Sequence, residues 1–375
     1  MSAGTVEKPW TGKRRLLAAM DHREGDRVPI IANLAAPVAT RVASRLGLAC
    51  DTEPFRALNT LISGRASFNG LLAELGNDCI GVAAESLQAN TATGEHGDYT
   101  DEWKLGFRRE NGYLEVVSRP LREAETVAEI RNYALPDPSL PARWKTAEGL
   151  IAAYGGSLGV MGCMGQTMFE TCWNLIGFEK FLMDFQSREG YLLELLDRLT
   201  EYSIAYSDRL SELGCDIVFI GDDVGMQDGM LISAASWREL LKPRLHRLCQ
   251  HIGSGKGAPR IAYHSCGSIV PIIPDLIELG VDVLNPVQPL ASGMELKSLK
   301  TKYGDRLCFW GGIDVQQCIP FGTAQEIEAQ VRQAMADAAS GGGFIIAPAH
   351  IIPSETSAEN VVAFFDAVKK YGSYT

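Results

Sequence analysis

Short, continuously apolar runs recur along the chain, and stretches with apolar residues at helical spacing follow them. Runs without alternation of polar and apolar positions are typical of parallel strands that are covered on both faces. Eight runs are present: residues 28–33, 78–84, 158–163, 217–220, the start of 261–267, 281–285, 307–310 and 344–347. Repeated strand–helix units predict an α/β protein with a (β/α)8 TIM barrel. A doubly wound open sheet is the alternative, but no G-x-G-x-x-G sequence follows the first run.

The helical stretches are identified by apolar residues that recur every three to four positions. They cover residues 36–47, 54–75, 178–187, 191–213, about 234–253, 271–279, 323–339 and 357–371. Residues 1–27 are polar apart from a short amphipathic helix around residues 13–20. We therefore expect an N-terminal helical extension, residues 1–27, and a single barrel domain, residues 28–375.

One region has a different pattern. Residues 100–118 alternate between polar and apolar, and Asn111-Gly112 is a dipeptide that favours a two-residue hairpin turn. Alternation indicates a sheet with one solvated face, whereas the eight apolar runs indicate strands buried on both faces. The pattern predicts an antiparallel hairpin at about residues 98–121, inserted beside the barrel.

The net charge of the chain bears on the kind of partner it binds, and its cysteines bear on the compartment in which it occurs. The 375 residues carry a formal net charge of −11 with a pI near 5.2, and no basic stretch exceeds Lys13-Arg14-Arg15. These features argue against a nucleic-acid partner. The nine cysteines are an odd number without a C-x-x-C pair, which indicates reduced thiols and a cytoplasmic location. The sequence contains no apolar run of about 18 residues that would predict a membrane span, and the run at residues 16–20 is too short for a signal-peptide core.

A candidate metal-binding pair lies in the stretch Ile261-Ala262-Tyr263-His264-Ser265-Cys266-Gly267. His264 and Cys266 are two positions apart, so on a strand both side chains point to the same face. An imidazole and a thiol on one face suit a soft or borderline metal, with zinc as the first candidate. The alternative is a buried histidine beside a small apolar cysteine. The position of the pair favours the metal, because Gly267 ends the strand where a barrel carries its active site.

Chemically active residues also follow the other predicted strands. Because the C-terminal ends of barrel strands share one rim, these residues are expected to lie together. They are Glu85, Cys163, Asp222, Asp223, His264, Cys266, Asn285, Asp314 and His350. Several have a structural alternative: Asp222 and Asp314 suit a cap, and Asn285 precedes a proline and suits a turn. His350 could instead be a packed core histidine.

The chain resembles the uroporphyrinogen decarboxylase superfamily at these positions, and the resemblance covers nearly all residues from about 13. It is specific as a combination of short motifs. They are Gly221-Asp222-Asp223-Val224-Gly225, Tyr263-His264-Ser265-Cys266-Gly267-Ser268, Asn285-Pro286-Val287-Gln288, Phe309-Trp310-Gly311-Gly312-Ile313-Asp314, Gly342-Gly343-Phe344-Ile345 and Ala347-Pro348-Ala349-His350. One branch of the superfamily decarboxylates uroporphyrinogen without a cofactor. The other contains zinc methyltransferases that act with corrinoid proteins.

The resemblance to the methyltransferase branch implies a ligand set. Its His-x-Cys pair matches His264 and Cys266, and His350 stands where that branch usually has a further cysteine. The resemblance therefore implies a zinc ion held by His264, Cys266 and His350, although His350 could contact substrate instead. It further implies a methyl group transferred between a methylated small molecule, such as a methoxylated compound, and a cobalamin (corrinoid) carried by a partner protein. A homodimer is common among such relatives.

Further roles follow from the same motifs. Glu85, Asp222 and Asp223 are expected to move a proton or position a polar substrate. The expected substrate contacts are Asn285, Gln288, Trp310 and Asp314.

Two alternatives to the methyltransferase remain open. The first is a decarboxylase that needs no metal, but the segment that carries arginines for substrate carboxylates in that branch reads Ile31-Ala32-Asn33-Leu34-Ala35-Ala36 here. The second is an inactive barrel that binds a corrinoid or tetrapyrrole.

Overall fold

A computed structural model describes residues 9–50, 55–88, 98–110, 113–255 and 257–374. Its strands are β1 (Cys79–Val82), β2 (Tyr99–Thr100), β3 (Gly106–Glu110), β4 (Tyr113–Ser118), β5 (Gly159–Gln166), β6 (Ile217–Gly221), β7 (Gly225–Met226), β8 (Gly229–Met230), β9 (Arg260–His264), β10 (Val283–Val287), β11 (Cys308–Ile313) and β12 (Phe344–Pro348). Within these ranges, no helix is both long enough and apolar enough to span a bilayer.

The helices alternate with the strands as the pattern predicts. They are α1 (Gly12–Met20), α2 (Ala36–Leu46), α3 (Asn69–Leu75), α4 (Val127–Asn132), α5 (Lys145–Tyr154), α6 (Phe169–Ile176), α7 (Phe178–Ser187), α8 (Gly190–Glu212), α9 (Ala234–Leu240), α10 (Lys242–Ile252), α11 (Ile273–Glu278), α12 (Leu296–Tyr303), α13 (Cys318–Phe321), α14 (Ala324–Ala338) and α15 (Ala358–Tyr371). Three 3₁₀ segments, Thr60–Ala66, Pro141–Trp144 and Val270–Ile272, complete the set.

The main sheet has seven strands in the order β1-β5-β6-β9-β10-β11-β12, and every neighbouring pair is parallel. The predicted barrel-type α/β fold is confirmed. The expected first strand, residues 28–33, is wrong as a regular strand, because only Ile30 forms a bridge, to Ile346 of β12. Pro29 has no N–H to donate to a ladder, which is consistent with this irregular pairing.

Residues 28–34 nevertheless join the two edges of the sheet. On the β12 side, the backbone N–H of Ile346 donates to Pro29. On the β1 side, Asp78 N–H donates to the carbonyl of Ile30, while the amide of Asn77 bonds to both the N–H (2.8 Å) and the carbonyl (3.3 Å) of Ala32. The Asn77 side chain thus does what a strand backbone would do.

Other boundaries also differ from the prediction. The helix expected at 54–75 is a 3₁₀ segment, Thr60–Ala66, followed by α3, because Phe68 adopts a left-handed conformation (φ 59°) between them. The helix expected at about 234–253 is divided into α9 and α10. Pro243 lies in the first turn of α10, where a proline begins a helix but cannot continue one.

The inserted hairpin is present. β3 and β4 pair antiparallel, and with β2 they form a three-stranded sheet separate from the barrel. The Asn111-Gly112 turn lies outside the described residues. Phe107 and Trp103 of this region are buried in the same apolar cluster as the helices, so the insertion packs on the barrel. Its treatment as part of a single domain remains a prediction.

The interior of the barrel is a second apolar cluster. Leu16, Ala19 and Met20 of α1 close it at the N-terminal end of the strands, and Phe219 and Trp310 fill its middle. The C-terminal end of the strands is left as a mouth, where the polar residues lie.

Candidate functional site

His264 ends β9 in the middle of the sheet, and its ring is oriented by its neighbour on β10. The two residues are register partners, and His264 Nδ1 lies 2.7 Å from Asn285 Oδ1. Because an amide oxygen only accepts, Nδ1 carries the proton and Nε2 offers its lone pair to the mouth. Burial, and next the charge of Arg65, hold the pKa of His264 well below its usual value. The imidazole is therefore neutral, as a metal ligand must be.

Cys266 follows at the turn, and its sulfur faces the same nitrogen. Cys266 Sγ is 3.6 Å from His264 Nε2, and the backbone N–H of Cys266 donates to Asp223 Oδ1 at 2.7 Å. Asp223 Oδ1 is also 3.4 Å from His264 Nε2. Gln288 fixes the other side of the turn by accepting the N–H of Gly267 at 2.7 Å. Burial, and next the carboxylate of Asp223, raise the pKa of the Cys266 thiol.

His350 comes to the site from the loop after β12. One ligand atom from each of His264, Cys266 and His350 lies within 4.8 Å of the other two. Its side chain is exposed at the mouth, yet desolvation by the surrounding protein, followed by the charges of Arg65 and His264, lowers its pKa to about 4. The three predicted metal ligands are thus brought together as a possible metal site.

The donor set fits zinc in kind and in spacing. Two imidazoles and one thiol are ordinary zinc ligands, and tetrahedral Zn–N and Zn–S bonds place nitrogen and sulfur about 3.6 Å apart. This is the separation of His264 Nε2 and Cys266 Sγ. The Asn285 contact adds the outer hydrogen bond that metal-binding histidines generally make.

Arg65 is a residue of the site that the sequence analysis missed. Its Nη2 lies 3.2 Å from His264 Nε2 and 3.5 Å from Nδ1, and its guanidinium is stacked on Phe219 with Cζ 4.7 Å from the ring centre. A metal bound at Nε2 would require this guanidinium to turn away from the imidazole. The residue lies on a 3₁₀ segment after a gap of about 30 residues from the first apolar run, where no local pattern points to a site.

Asp222 and Asp314, two of the predicted site residues, cap helices. Asp222 is buried and accepts hydrogen bonds from Thr167 and from the N–H groups of Met168 and Glu170 at the start of α6. Burial raises its pKa to about 6, even though those hydrogen bonds lower it. Asp314 accepts the N–H groups of residues 316, 317 and 318 at the start of α13. The capping alternative accounts for both positions.

A second unforeseen residue, Glu170, supports Asp223. Glu170 Oε2 accepts the N–H of Asp223 at 3.0 Å, and Oε1 accepts a hydrogen bond from Gln166. Burial, and next the charges of Asp223 and Asp222, raise the pKa of Glu170 well above its usual value. The signal available in the sequence was weak, since Glu170 occupies the first turn of a helix, where acidic residues are common.

Three other residues predicted for the site, Glu85, Trp310 and Cys163, lie outside the cluster of His264, Cys266 and His350. The Glu85 carboxylate accepts a hydrogen bond from Thr146 on α5 at 2.8 Å. Trp310 is 1% exposed in the barrel interior and donates its indole N–H to the carbonyl of Ile31. Cys163 is buried in the same interior. These contacts give the three side chains structural environments.

Comparison with known proteins agrees with this architecture. Residues 103–371 match the family model of uroporphyrinogen decarboxylase (URO-D). A methylcobamide:CoM methyltransferase, MtaA, from Methanosarcina barkeri is 23% identical over 365 residues, which are 96% of this chain and 98% of that protein. A uroporphyrinogen decarboxylase from Mannheimia succiniciproducens is 20% identical over 281 residues, 72% of this chain and 75% of its own.

Among solved structures, a methyltransferase from Methanosarcina mazei superposes with a TM-score of 0.71 at 22% identity. The superposition covers 97% of this chain and 99% of that one, so the two proteins share the fold over their whole lengths.

Proposed function

The chain belongs to the uroporphyrinogen decarboxylase family, and from its mouth residues we propose that it is a zinc-dependent methyltransferase. It moves a methyl group between a methylated small molecule, such as a methoxylated compound, and a cobalamin carried by a corrinoid protein. The observation that carries this proposal is the cluster of His264, Cys266 and His350, with ligand atoms within 4.8 Å of one another. The MtaA relative, whose name describes methyl transfer from a methylcobamide, supports the same reaction class.

The three residues would hold the zinc, and the groups behind them fix how they present their ligand atoms. Zinc at this place supplies Lewis acidity, which lowers the pKa of a thiol and polarises an atom that carries a methyl group. Asn285 keeps the proton of His264 on Nδ1 and so leaves Nε2 as the ligand. Asp223 and Gln288 hold the backbone on both sides of the Cys266 turn.

The carboxylate of Asp223 has a second possible role in the chemistry. It is partly exposed in the mouth, where Oδ1 faces both His264 Nε2 and the Cys266 backbone. A carboxylate in that position can accept a proton from an incoming thiol or hydroxyl group. Glu170 fixes the peptide that carries it. Asp222 acts indirectly by holding the start of α6 beside this peptide.

Metal analysis and methyl transfer test the proposal together. The protein purified without chelators is expected to contain about one zinc per chain. With methylcobalamin and a thiol acceptor, it is expected to convert the methylated corrinoid to the cob(I)alamin form, which is followed by absorbance. A metal-free protein that fails to gain activity with added zinc would contradict the proposal.

His350→Ala separates the two roles open to that residue. If His350 is a ligand, the zinc affinity of the variant falls by more than about tenfold. Residues that only hydrogen-bond to a metal ligand already contribute about 10–100-fold to metal affinity, and a direct ligand contributes at least as much. If it contacts substrate, zinc binding is unchanged and turnover falls. We propose the ligand role, because its ligand atom lies within 4.8 Å of those of His264 and Cys266.

A decarboxylase remains the second candidate, and one observation favours it. Arg65 places a cation in the mouth, where it could hold a carboxylate of the substrate. A decarboxylase of this kind needs no zinc, so activity on a carboxylated substrate that survives complete removal of metal would favour it over methyl transfer.

A further inference from the structure

Lys300, on α12 near the N-terminal end of the barrel strands, is half-buried and has no carboxylate partner. Within the described ranges, no carboxylate oxygen lies within 4.0 Å of its Nζ, which donates instead to the carbonyl of Gly342. The other half-buried lysines of those ranges, Lys13, Lys180 and Lys242, each have an aspartate oxygen at 3.0 Å or less. A lysine that is withdrawn from water is normally paired in this way.

His22, which follows α1, borders the same space as Lys300, and one of its ring nitrogens has no partner. Its Nδ1 is buried and makes no hydrogen bond to the described atoms, while the ring donates to the backbone of Gly304. Nε2 therefore carries the proton, and Nδ1 offers a lone pair. A Cβ atom on Gly343 would lie 2.7 Å from His22 Nδ1 and 3.0 Å from Lys300 Nζ, so the two nitrogens are neighbours across this glycine.

A loop of three glycines, residues 341–343, leaves the space between the two side chains open. All three adopt left-handed backbone conformations, with φ of 77°, 74° and 65° in chain order, which residues with a side chain rarely adopt in succession. A Cβ atom on Gly342 would lie 2.5 Å from the backbone nitrogen of Arg23, so the loop packs directly on the residue after His22. The loop precedes β12, whereas His350 follows that strand, so this cluster lies at the opposite end of the barrel from the mouth.

The protein around Lys300 and His22 favours the uncharged form of both groups. Burial lowers the pKa of Lys300, and burial followed by the charge of Lys300 lowers the pKa of His22. The neighbouring thiol of Cys308 supplies no negative charge to the ammonium group, because burial raises its pKa to about 12. A desolvated amine is more often neutral and nucleophilic at a given pH, and a neutral imidazole with a free lone pair acts as a base. The cluster thus combines a nucleophile with a base.

We propose that Lys300 is a modification site, which accepts an acyl group from a thioester with His22 as the base. The neutral amine attacks the thioester carbonyl, so that a C–N bond forms and the C–S bond breaks. His22 Nδ1 takes the proton from the nitrogen and passes it to the departing thiolate, which leaves as a free thiol. The product is an uncharged amide whose N–H can still donate to the carbonyl of Gly342, so the modification removes the charge and keeps that contact.

Competitive labelling of the intact protein tests the reactivity of Lys300. The protein is exposed near neutral pH to a limiting amount of S-acetyl-N-acetylcysteamine, a small thioester, and the acetylation rate of each lysine is measured by peptide mass spectrometry. Lys297 and Lys302 lie on the same helix, are exposed and serve as internal controls. Lys300 is expected to react at least about tenfold faster than either control, because more of its amine is neutral and a base lies beside it.

A variant of His22 assigns the role of the base. His22→Asn removes the imidazole and suits the left-handed backbone at this position (φ 52°), because asparagine adopts that conformation more readily than most residues. The rate at Lys300 is expected to fall by at least about tenfold, with the rates at Lys297 and Lys302 unchanged. His246→Asn, a change at an exposed histidine on α10, is the matched control and should be labelled as the wild type is.

Two results would contradict the assignment: a rate at Lys300 no higher than at Lys297 and Lys302, or an unchanged rate at Lys300 in His22→Asn. If His22→Asn fails to fold, the pH dependence of labelling in the wild type takes its place. The rate at Lys300 should then reach half of its maximum below about pH 10.4, the ordinary value for lysine, and a midpoint at or above it would overturn the proposal. These measurements use neither zinc nor a corrinoid, so their failure is distinct from a failure of the proposed methyl transfer.

Discussion

At the N-terminal end of the barrel strands, Asp78 is paired with both Arg27 and Arg15, whereas at the C-terminal end Arg65 has no carboxylate within 4.0 Å among the described residues. The Asp78 carboxylate also accepts the N–H of Ile30 at 2.8 Å. Lys13 pairs with Asp216 at that same end. These charges at the closed end are thus matched within the protein, and the mouth leaves a cation and several ligand atoms available to other molecules.

This difference indicates that the paired charged residues at the N-terminal end of the strands stabilise the barrel, whereas those at the mouth serve binding. Paired charges at the closed end tie the N-terminal extension and residues 28–34 to the sheet, so their removal should cost stability. The groups at the mouth are held in place by outer contacts, such as that of Asn285 with His264, and their removal should cost binding with little change in stability. Variants at the two ends test this difference.

The largest effect is expected at the closed end, from Asp78→Ala. The carboxylate is 2% exposed, and its loss leaves Arg27 without a carboxylate partner and Arg15 paired with Asp26 alone. The free energy of unfolding, measured by chemical denaturation, should fall by about 3–5 kcal/mol. Asp305→Ala, at an exposed aspartate beside Arg306, should change it by less than about 0.5 kcal/mol. A similar small change for both variants would remove the distinction between the two ends.

The next largest effect is expected at the mouth, from Cys266→Ala. Loss of the thiol should lower zinc affinity by more than about tenfold, because a direct ligand contributes at least as much as the residues that hydrogen-bond to the ligands. Zinc content after dialysis, measured by elemental analysis, reports this loss. Cys318→Ala changes a cysteine near the rim that lies outside the ligand cluster, and it should retain zinc. Full zinc occupancy in Cys266→Ala would reject the ligand assignment.

A smaller effect is expected from Asn285→Leu. The substitution keeps the approximate size of the side chain but removes the oxygen that accepts the Nδ1 proton of His264. Zinc affinity should fall by about 10–100-fold, the range typical of groups that orient metal ligands. Competition with a chromophoric chelator measures the change. If affinity is unchanged, the proton position on His264 is set by something other than Asn285.

An effect that appears only when the pH is varied is expected at two adjacent acidic residues beside the mouth, whose pKa values move in opposite directions. Burial raises the pKa of Asp101 to about 7, whereas for Glu102 hydrogen bonds from Arg143, Leu87 and Ser86 outweigh burial and lower the pKa to about 2. Asp101 therefore contributes stability below pH 4 that is lost as the pH rises to about 7. Glu102 contributes stability above about pH 4.5 that is lost as the pH falls towards 2.

Asp101→Asn should remove a decline in unfolding free energy between pH 4 and 7, and Glu102→Gln should remove a rise between pH 2 and 4.5. Each residue accounts for a slope of at most about 1.4 kcal/mol per pH unit, which corresponds to one proton. Denaturation curves at several pH values measure these slopes. Identical pH profiles for the wild type and Asp101→Asn would show that this carboxyl is ionised in the folded protein.

The sequence predicted the parts of the molecule that depend on local patterns. Strands buried on both faces appear as apolar runs, and β5, β6, β9 and β12 were located to within a few residues. His264, Cys266 and His350 were expected together because each follows a barrel strand, and their ligand atoms do lie together. Their role as metal ligands remains a proposal.

The parts that were missed depend on contacts between distant residues. Arg65 lies in a 3₁₀ segment, and only the folded chain reveals that Gly81 and Gly165 make room for it. Asp222 was expected to be catalytic and Asp314 to contact substrate, with capping as the alternative for both. Each accepts backbone N–H groups at the start of a helix, a contact that a single sequence does not distinguish from a role in the chemistry. For the same reason, residues 28–33 were expected to form an ordinary strand, whereas only Ile30 forms a bridge to β12.

That irregular pairing has a consequence for how the barrel opens. On the β1 side, residues 28–34 are joined by one backbone hydrogen bond, from the N–H of Asp78 to Ile30, and by the side-chain amide of Asn77 bonded to Ala32. Because this join has one backbone hydrogen bond where a strand pair has several, it can open at Ala32 while the seven-stranded sheet stays whole. In hydrogen exchange, the amide of Ala32 would therefore report a local opening of lower free energy than the amides inside the sheet. The barrel would then open most readily between Ala32 and Asn77, at the join between residues 28–34 and the edge of the sheet.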